Sequence, residues 1–286
     1  MPQLRIEFFN YVPEFKQIGK LEIELQEALN DLPEYNTKVA QLGVFMSHKL
    51  DKDVMLKADS YTGFPNPEVW ICPQGFLMVC YFYGEIHSIV VFFEDYSKCS
   101  VSELRRTIRH ELTHAICGHR SGDFRSPGYF GKLPKKVADS LKNRLINHQQ
   151  DYEVDSFLAK RCPELILDYL YGYSKKLSLN IFKKMLRNLP NWAKRLELTI
   201  FLVDYYRNLL ILKALPDHLH SHAKFKRAKK KFENMFKASR LWLKDTMYTN
   251  LPPAQELISP SDFQDQYKLK LWFCKTVELD QKQPIL

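Results

Sequence analysis

Residues 100–118 read Ser-Val-Ser-Glu-Leu-Arg-Arg-Thr-Ile-Arg-His-Glu-Leu-Thr-His-Ala-Ile-Cys-Gly, and the rest of the chain is organised around this stretch. Ser100 and Glu103 have capping-box spacing, in which each side chain satisfies an orphan backbone donor at a helix start. Gly118 is the matching stop, because glycine enters the left-handed region without penalty. Between these signals stand His110 and His114. Four residues apart on a helix, their imidazoles leave one face about one turn from each other. Both nitrogens can then reach one Zn²⁺ at about 2.0–2.1 Å. Glu111 is displaced around the helix, where a carboxylate can deprotonate a zinc-activated water instead of binding the metal. The plain alternative is a pair of surface histidines on an ordinary amphipathic helix.

Working outward toward the N-terminus, Leu4-Arg5-Ile6-Glu7-Phe8 and Leu21-Glu22-Ile23-Glu24-Leu25 alternate apolar with polar, the pattern of half-buried strands. Gln26 to Leu42 is helix-like with an interruption at Pro33. Turn signals at Pro73-Gln74-Gly75 and Gly84-Glu85 divide a β-rich run into strands expected at 68–72, 76–83 and 87–94. The last of these leads into the histidine helix, and is expected to offer a sheet edge to an extended peptide. Toward the C-terminus, Gly122, Pro127, Gly128, Gly131 and Pro134 break a loop. Helices are expected at 135–161, 163–174, 178–188, 191–213 and 219–245, with a short strand at 268–273. No internal repeat or low-complexity segment interrupts the pattern.

A catalytic zinc keeps three protein ligands and one open position, so a third ligand is needed. His119 follows His110 by nine residues, one short of the metzincin spacing, with Cys117 where that pattern has glycine. The segment Gln150-Asp151-Tyr152-Glu153-Val154-Asp155-Ser156-Phe157-Leu158-Ala159 resembles the third-ligand helix of gluzincin metallopeptidases. In the HtpX-like and CAAX-prenyl-type proteases and the soluble ImmA/IrrE-type peptidases this helix reads Glu-aromatic-x-Ala-Asp/Asn-x-Phe-Ala. The resemblance covers about residues 100–160, with Asp151 in place of Glu and Val154 in place of Ala. It implies Asp151 as the ligand and Asp155 as the residue that orients a zinc histidine. The i, i+4 spacing is consistent with both roles, since ligating histidines need an acceptor on their second nitrogen. Glu153 and His148 are the rival ligands.

The remaining features set bounds. With 286 residues, 45% hydrophobic and 26% charged, the chain can bury one or two sizeable cores. The first residues carry no basic stretch followed by an apolar run, and Leu196 to Leu212, the most apolar stretch, is broken by Glu197, Asp204, Arg207 and Asn208. The expectation is a cytoplasmic protein without a membrane span. Its scattered cysteines (72, 80, 99, 117, 162 and 274) include no Cys-x-x-Cys pair, which argues for reduced thiols and against a cysteine zinc knuckle.

Nine basic residues against two acids between Ala223 and Asp245 carry +7 of the net +9. Phe225, Phe232 and Phe236 recur there at near-helical spacing, the buried stripe of an amphipathic helix whose lysines face solvent. That basic helix, 224–244, is also a candidate surface for nucleic acid or an anionic partner. His218, His220 and His222 alternate near its start, where an exposed loop is the simpler reading than a second metal site. One of these residues, or Tyr129, could steady the oxyanion of a tetrahedral intermediate.

These observations predict an α+β protein in which a zincin-like mixed sheet packs on the active-site helix, followed by a mainly helical C-terminal region. The expected division is 1–165 for the metallopeptidase region and 166–286 for the helical one. The expected activity is that of a soluble zinc peptidase, with His110, His114 and Asp151 on Zn²⁺, Glu111 as general base and Asp155 behind the ligands. The alternative is a catalytically inactive zincin-like scaffold that binds nucleic acid or a protein through the basic helix.

Overall fold

The computed structural model describes residues 2–9, 15–48, 52–63, 78–92, 99–119, 149–187 and 191–245. By their contacts they fall into two units, Met1–Ser126 and Pro127–Leu286. The architecture is mixed α and β, with a small four-stranded mixed sheet and a mostly helical remainder. No helix among the described residues is long and apolar enough to cross a membrane.

In the first unit the strands are β1 (Gln3–Phe9), β2 (Gln41–Ser47), β3 (Met78–Tyr83) and β4 (Ile86–Phe92), in the order β1-β2-β4-β3. The β1–β2 and β2–β4 pairs are parallel, and β3 runs antiparallel to β4. The helices of this unit are α1 (Phe15–Asp31), α2 (Lys52–Tyr61) and α3 (Val101–Cys117), with a 3-10 turn at Pro33–Thr37. Strand residues alternate between the two faces of the sheet. Val90 and Phe92 of β4 join Phe45 of β2 in packing on Val54, Met55 and Ala58 of α2, and Ser88 Oγ donates to the Ala58 carbonyl. His87 emerges on the other face, where Tyr35 of the 3-10 turn meets it. Gly43 is needed for close approach, because a Cβ there would lie 2.7 Å from the Phe45 ring and 2.8 Å from that of Tyr61.

Three expectations are corrected by the structure. Leu21–Leu25 is not a strand but the middle of α1. Its alternation is also satisfied by a helix in which Leu21, Leu25, Ala28 and Leu29 are buried, Ile23 is 61% exposed, and Glu24 is buried by an ionic partner. The segment Gln26–Leu42 is not one interrupted helix; α1 ends at Asp31 and Leu42 already belongs to β2. Strand β4 also differs from its expected role. It pairs with β2 on one side and β3 on the other, so β3 and not β4 stands at the end of the sheet.

In the second unit the helices are α4 (149–161), α5 (Pro163–Lys176), α6 (Leu179–Arg187), α7 (Asn191–Ala214), α8 (Asp217–His220) and α9 (Ala223–Asp245). Helix α9 packs on α7 and α5. It does so through the buried stripe Phe225, Ala228, Phe232 and Met235, while Phe236 is half-buried and Lys226, Arg227, Lys229, Lys230 and Lys237 are exposed. Helix α7 is a core helix with Leu202, Val203, Tyr205, Leu210, Ile211 and Leu212 buried, and it carries Asp204, Arg207 and Asn208 buried among them. The strands expected at 68–72 and 268–273, and the first part of the helix expected at 135–161, lie outside the described residues.

His87 makes one testable contribution to this fold. Its ring is wholly buried, shares a 2.8 Å hydrogen bond through Nδ1 with the Tyr35 hydroxyl, and stands edge-on to Phe82. Burial lowers its pKa from 6.5 to about 3. The unfolded chain therefore takes up the His87 proton first, and this contribution to stability is present above pH 6.5 and lost as pH falls toward 3. Urea unfolding from pH 7 to pH 4 is expected to show a decline approaching about 1.4 kcal/mol per pH unit that His87→Gln removes. An equal pH slope in the two proteins would contradict this account.

Candidate metal centre

Helix α3 is fixed at every level. At its start Ser100 Oγ accepts from the Glu103 amide at 3.3 Å and the Ser100 amide donates to Glu103 Oε2 at 3.1 Å, the reciprocal capping box expected from the sequence. On the flank facing α1, Arg105 Nε donates to both oxygens of the buried Glu24 at 2.9 and 3.1 Å. One turn on, the buried Arg109 holds Asp31 Oδ2 through Nε at 2.8 Å and through a terminal nitrogen at 2.5 Å. At the far end the Lys38 ammonium donates to the Ile116 carbonyl, a cation placed at the negative pole of the helix. Gly118 closes the helix in the left-handed conformation at φ 77°.

These contacts leave little rotational freedom, and α3 turns about 100° per residue. His110 and His114 therefore lie about 100–140° around from Arg109, on a face of their own. His110 is buried and His114 half-buried. Their Nε2 atoms are 3.3 Å apart, with the rings nearly perpendicular. Two nitrogens bound at about 2.0–2.1 Å to a tetrahedral zinc would stand roughly 3.3–3.4 Å apart, so the pair already has the length of one edge of such a site. Glu111 is half-buried and turned about 100° from His110.

His119 has a place that its spacing did not suggest. Its Nδ1 lies 2.9 Å from Nδ1 of His114. If His114 presents its Nε2 lone pair to a metal, its Nδ1–H is the donor in that bond and His119 the acceptor. This is the support that ligating histidines ordinarily receive. The sequence signal was present in the glycine itself: a left-handed Gly118 folds the next residue back over the last turn.

In the second unit, Asp151 and Asp155 lie one turn apart on α4, Asp151 half-buried and Asp155 buried, while Glu153 is exposed on another side. Arg207 donates to Asp151 Oδ2 at 3.1 Å. Of the residues expected at the centre, His110 and His114 belong to the first unit and Asp151, Glu153 and Asp155 to the second. Of the rival third ligands, His148 lies outside the described residues, as does the oxyanion candidate Tyr129. His218, His220 and His222 form no metal-holding group among the described residues. His220 instead donates to the Leu215 carbonyl and stacks on Phe225, while His218 and His222 are exposed. Cys99, Cys117 and Cys162 are thiols and not halves of a disulfide.

The donor set suits a borderline metal such as zinc, which takes imidazole nitrogen and carboxylate oxygen. No family model matches the chain, and no curated protein or solved structure matches it significantly. The metal reading therefore rests on the residues themselves. Removing the acceptor behind His114 tests it. With zinc as the probe metal, His119→Ala is expected to weaken binding by about 10- to 100-fold, as losses behind a ligand usually do. A competition titration against a chromophoric chelator measures this, and unchanged affinity would remove His119 from the centre.

Proposed function

We propose that the protein is a zinc-dependent peptidase with a zincin-like arrangement, in which His110, His114 and Asp151 hold one zinc ion and Glu111 is the general base. The observation that carries this reading is the 3.3 Å separation of the two Nε2 atoms on a helix whose capping and ion pairs fix its orientation. Asp151 is preferred to Glu153 as the third ligand because it shares a face of α4 with the buried Asp155, whereas Glu153 is exposed on another side. Asp155 keeps the positioning role that the gluzincin resemblance implies.

Bound there, zinc would polarise the scissile carbonyl and lower the pKa of the attacking water. Glu111, beside the pair but turned away from the ligand face, would take the proton of that water and pass it to the departing amine. The Nδ1–H of His114, held by His119, keeps the imidazole in the tautomer that a ligand needs. An extended substrate strand would add to β3, which stands at the end of the sheet and packs on α3.

The second reading is an inactive zincin-like scaffold whose basic helix binds nucleic acid or another anionic partner. It draws on the exposed lysines and arginine of α9, which cover the side opposite the buried Phe225–Met235 stripe.

Two variants separate the roles. Changing both His110 and His114 to Ala is expected to abolish binding of about one zinc per chain, read by metal analysis of purified protein. Glu111→Gln is expected to retain zinc while hydrolysis of a peptide library falls by at least about 10²-fold. Full metal content in the double variant would remove the centre, and loss of zinc from Glu111→Gln would make Glu111 a ligand. A wild-type protein that holds zinc and cleaves nothing would favour the scaffold.

A further inference from the structure

Helix α7 carries a polar face where a core helix needs none. Asp204, Arg207 and Asn208 are spaced i, i+3, i+4, and all three are buried in otherwise apolar surroundings. An ionised side chain costs too much to bury without partners that use it. Arg207 has them. One terminal nitrogen donates to Asp151 Oδ2 at 3.1 Å, and the other pairs with Asp204 Oδ1 at 3.1 Å. The second oxygen of Asp204 is held in turn by the Tyr173 hydroxyl of α5, at 2.9 Å. Three helices thus contribute to a single chain of bonds that runs Tyr173, Asp204, Arg207, Asp151.

We propose that Arg207 is the positioning residue for Asp151, fixing the carboxylate so that Oδ1 is presented to the metal while Oδ2 stays on the guanidinium. The inference rests on the reading of Asp151 as a metal ligand. Three features support it. Aspartate is one methylene shorter than the glutamate of the gluzincin pattern, so its reach tolerates less error. At 32% side-chain exposure Asp151 is partly open to solvent, while Arg207 at 9% is not. A planar fork with a nitrogen on each of two carboxylates sets their relative orientation, which a single ammonium cannot do. Burial works against the guanidinium charge, and the nearby Asp204, Asp151 and Asp155 more than offset it, so Arg207 stays charged.

The test is a double-mutant cycle read by zinc affinity, with a chromophoric chelator as competitor. Arg207→Lys keeps the charge and loses the fork. It is expected to fold with an unchanged far-ultraviolet spectrum and to bind zinc about 10- to 100-fold more weakly. The same change made in an Asp151→Ala background is expected to cost nothing further, because Arg207 acts only through Asp151. The visible spectrum of the cobalt-loaded protein should change in Arg207→Lys, a response that general loosening of α7 would not give. Should Arg207→Lys fail to fold, Asp204→Asn, which releases the far end of the fork, takes its place in the same cycle. An equal loss in both backgrounds, or wild-type affinity in the folded variant, overturns the inference alone. A wild-type protein that binds no zinc, or an Asp151→Ala variant that binds it normally, overturns the ligand reading and this inference with it.

Discussion

The paired guanidinium–carboxylate contacts between α1 and α3 are the constraint on which the histidine site depends. Arg105 on Glu24 and Arg109 on Asp31 are four residues apart on α3 and seven apart on α1, so they join two successive levels of the same helix pair. A single apolar ridge would let α3 slide or roll by some tens of degrees with little change in buried area. Two charge-assisted contacts with fixed geometry would not. Because Arg109 immediately precedes His110, rotation of the arginine is rotation of the histidine. The burial of Glu24 and Arg109 follows from the same need: each is tolerated inside only because the other helix supplies its counter-charge.

The sheet adds a second kind of order. Its parallel core, β1-β2-β4, is covered by α2 on one face, while β3 turns back antiparallel and lies against α3. Parallel strands buried on both faces carry continuous apolar runs, and β2 and β4 do. Two polar exceptions in β4, Ser88 and His87, are each bonded where they emerge: to the Ala58 carbonyl on the α2 face and to Tyr35 on the other.

How much of this the sequence revealed varied with the kind of signal. The bounds of α3 were legible, because a capping box and a stop glycine are local and chemically specific. The pairing of His110 with His114 followed from spacing alone. Leu21–Leu25 misled for a physical reason: a buried glutamate counts as a polar outward residue until its arginine, some 80 positions away, is known. The strand β2 was hidden because Leu42, Val44 and Met46 give no turn signal that separates them from the helix-like run before them. Arg207 was visible only as a break in an apolar stretch. The i, i+3, i+4 spacing of Asp204, Arg207 and Asn208 already placed three polar groups on one face of a core helix, a pattern that asks for partners.

Gly118 has an effect beyond ending a helix. Since His119 meets His114 only because the chain reverses at the glycine, the spacing between these two histidines is a fixed length, unlike that of an ordinary surface connection. One residue inserted after His114 would advance the helix by about 100° and carry the reversal point around with it, separating the two imidazoles. The segment should therefore be intolerant of insertion and deletion up to His119. Drift in chain length, the commonest change among related loops, would be pushed downstream of that residue.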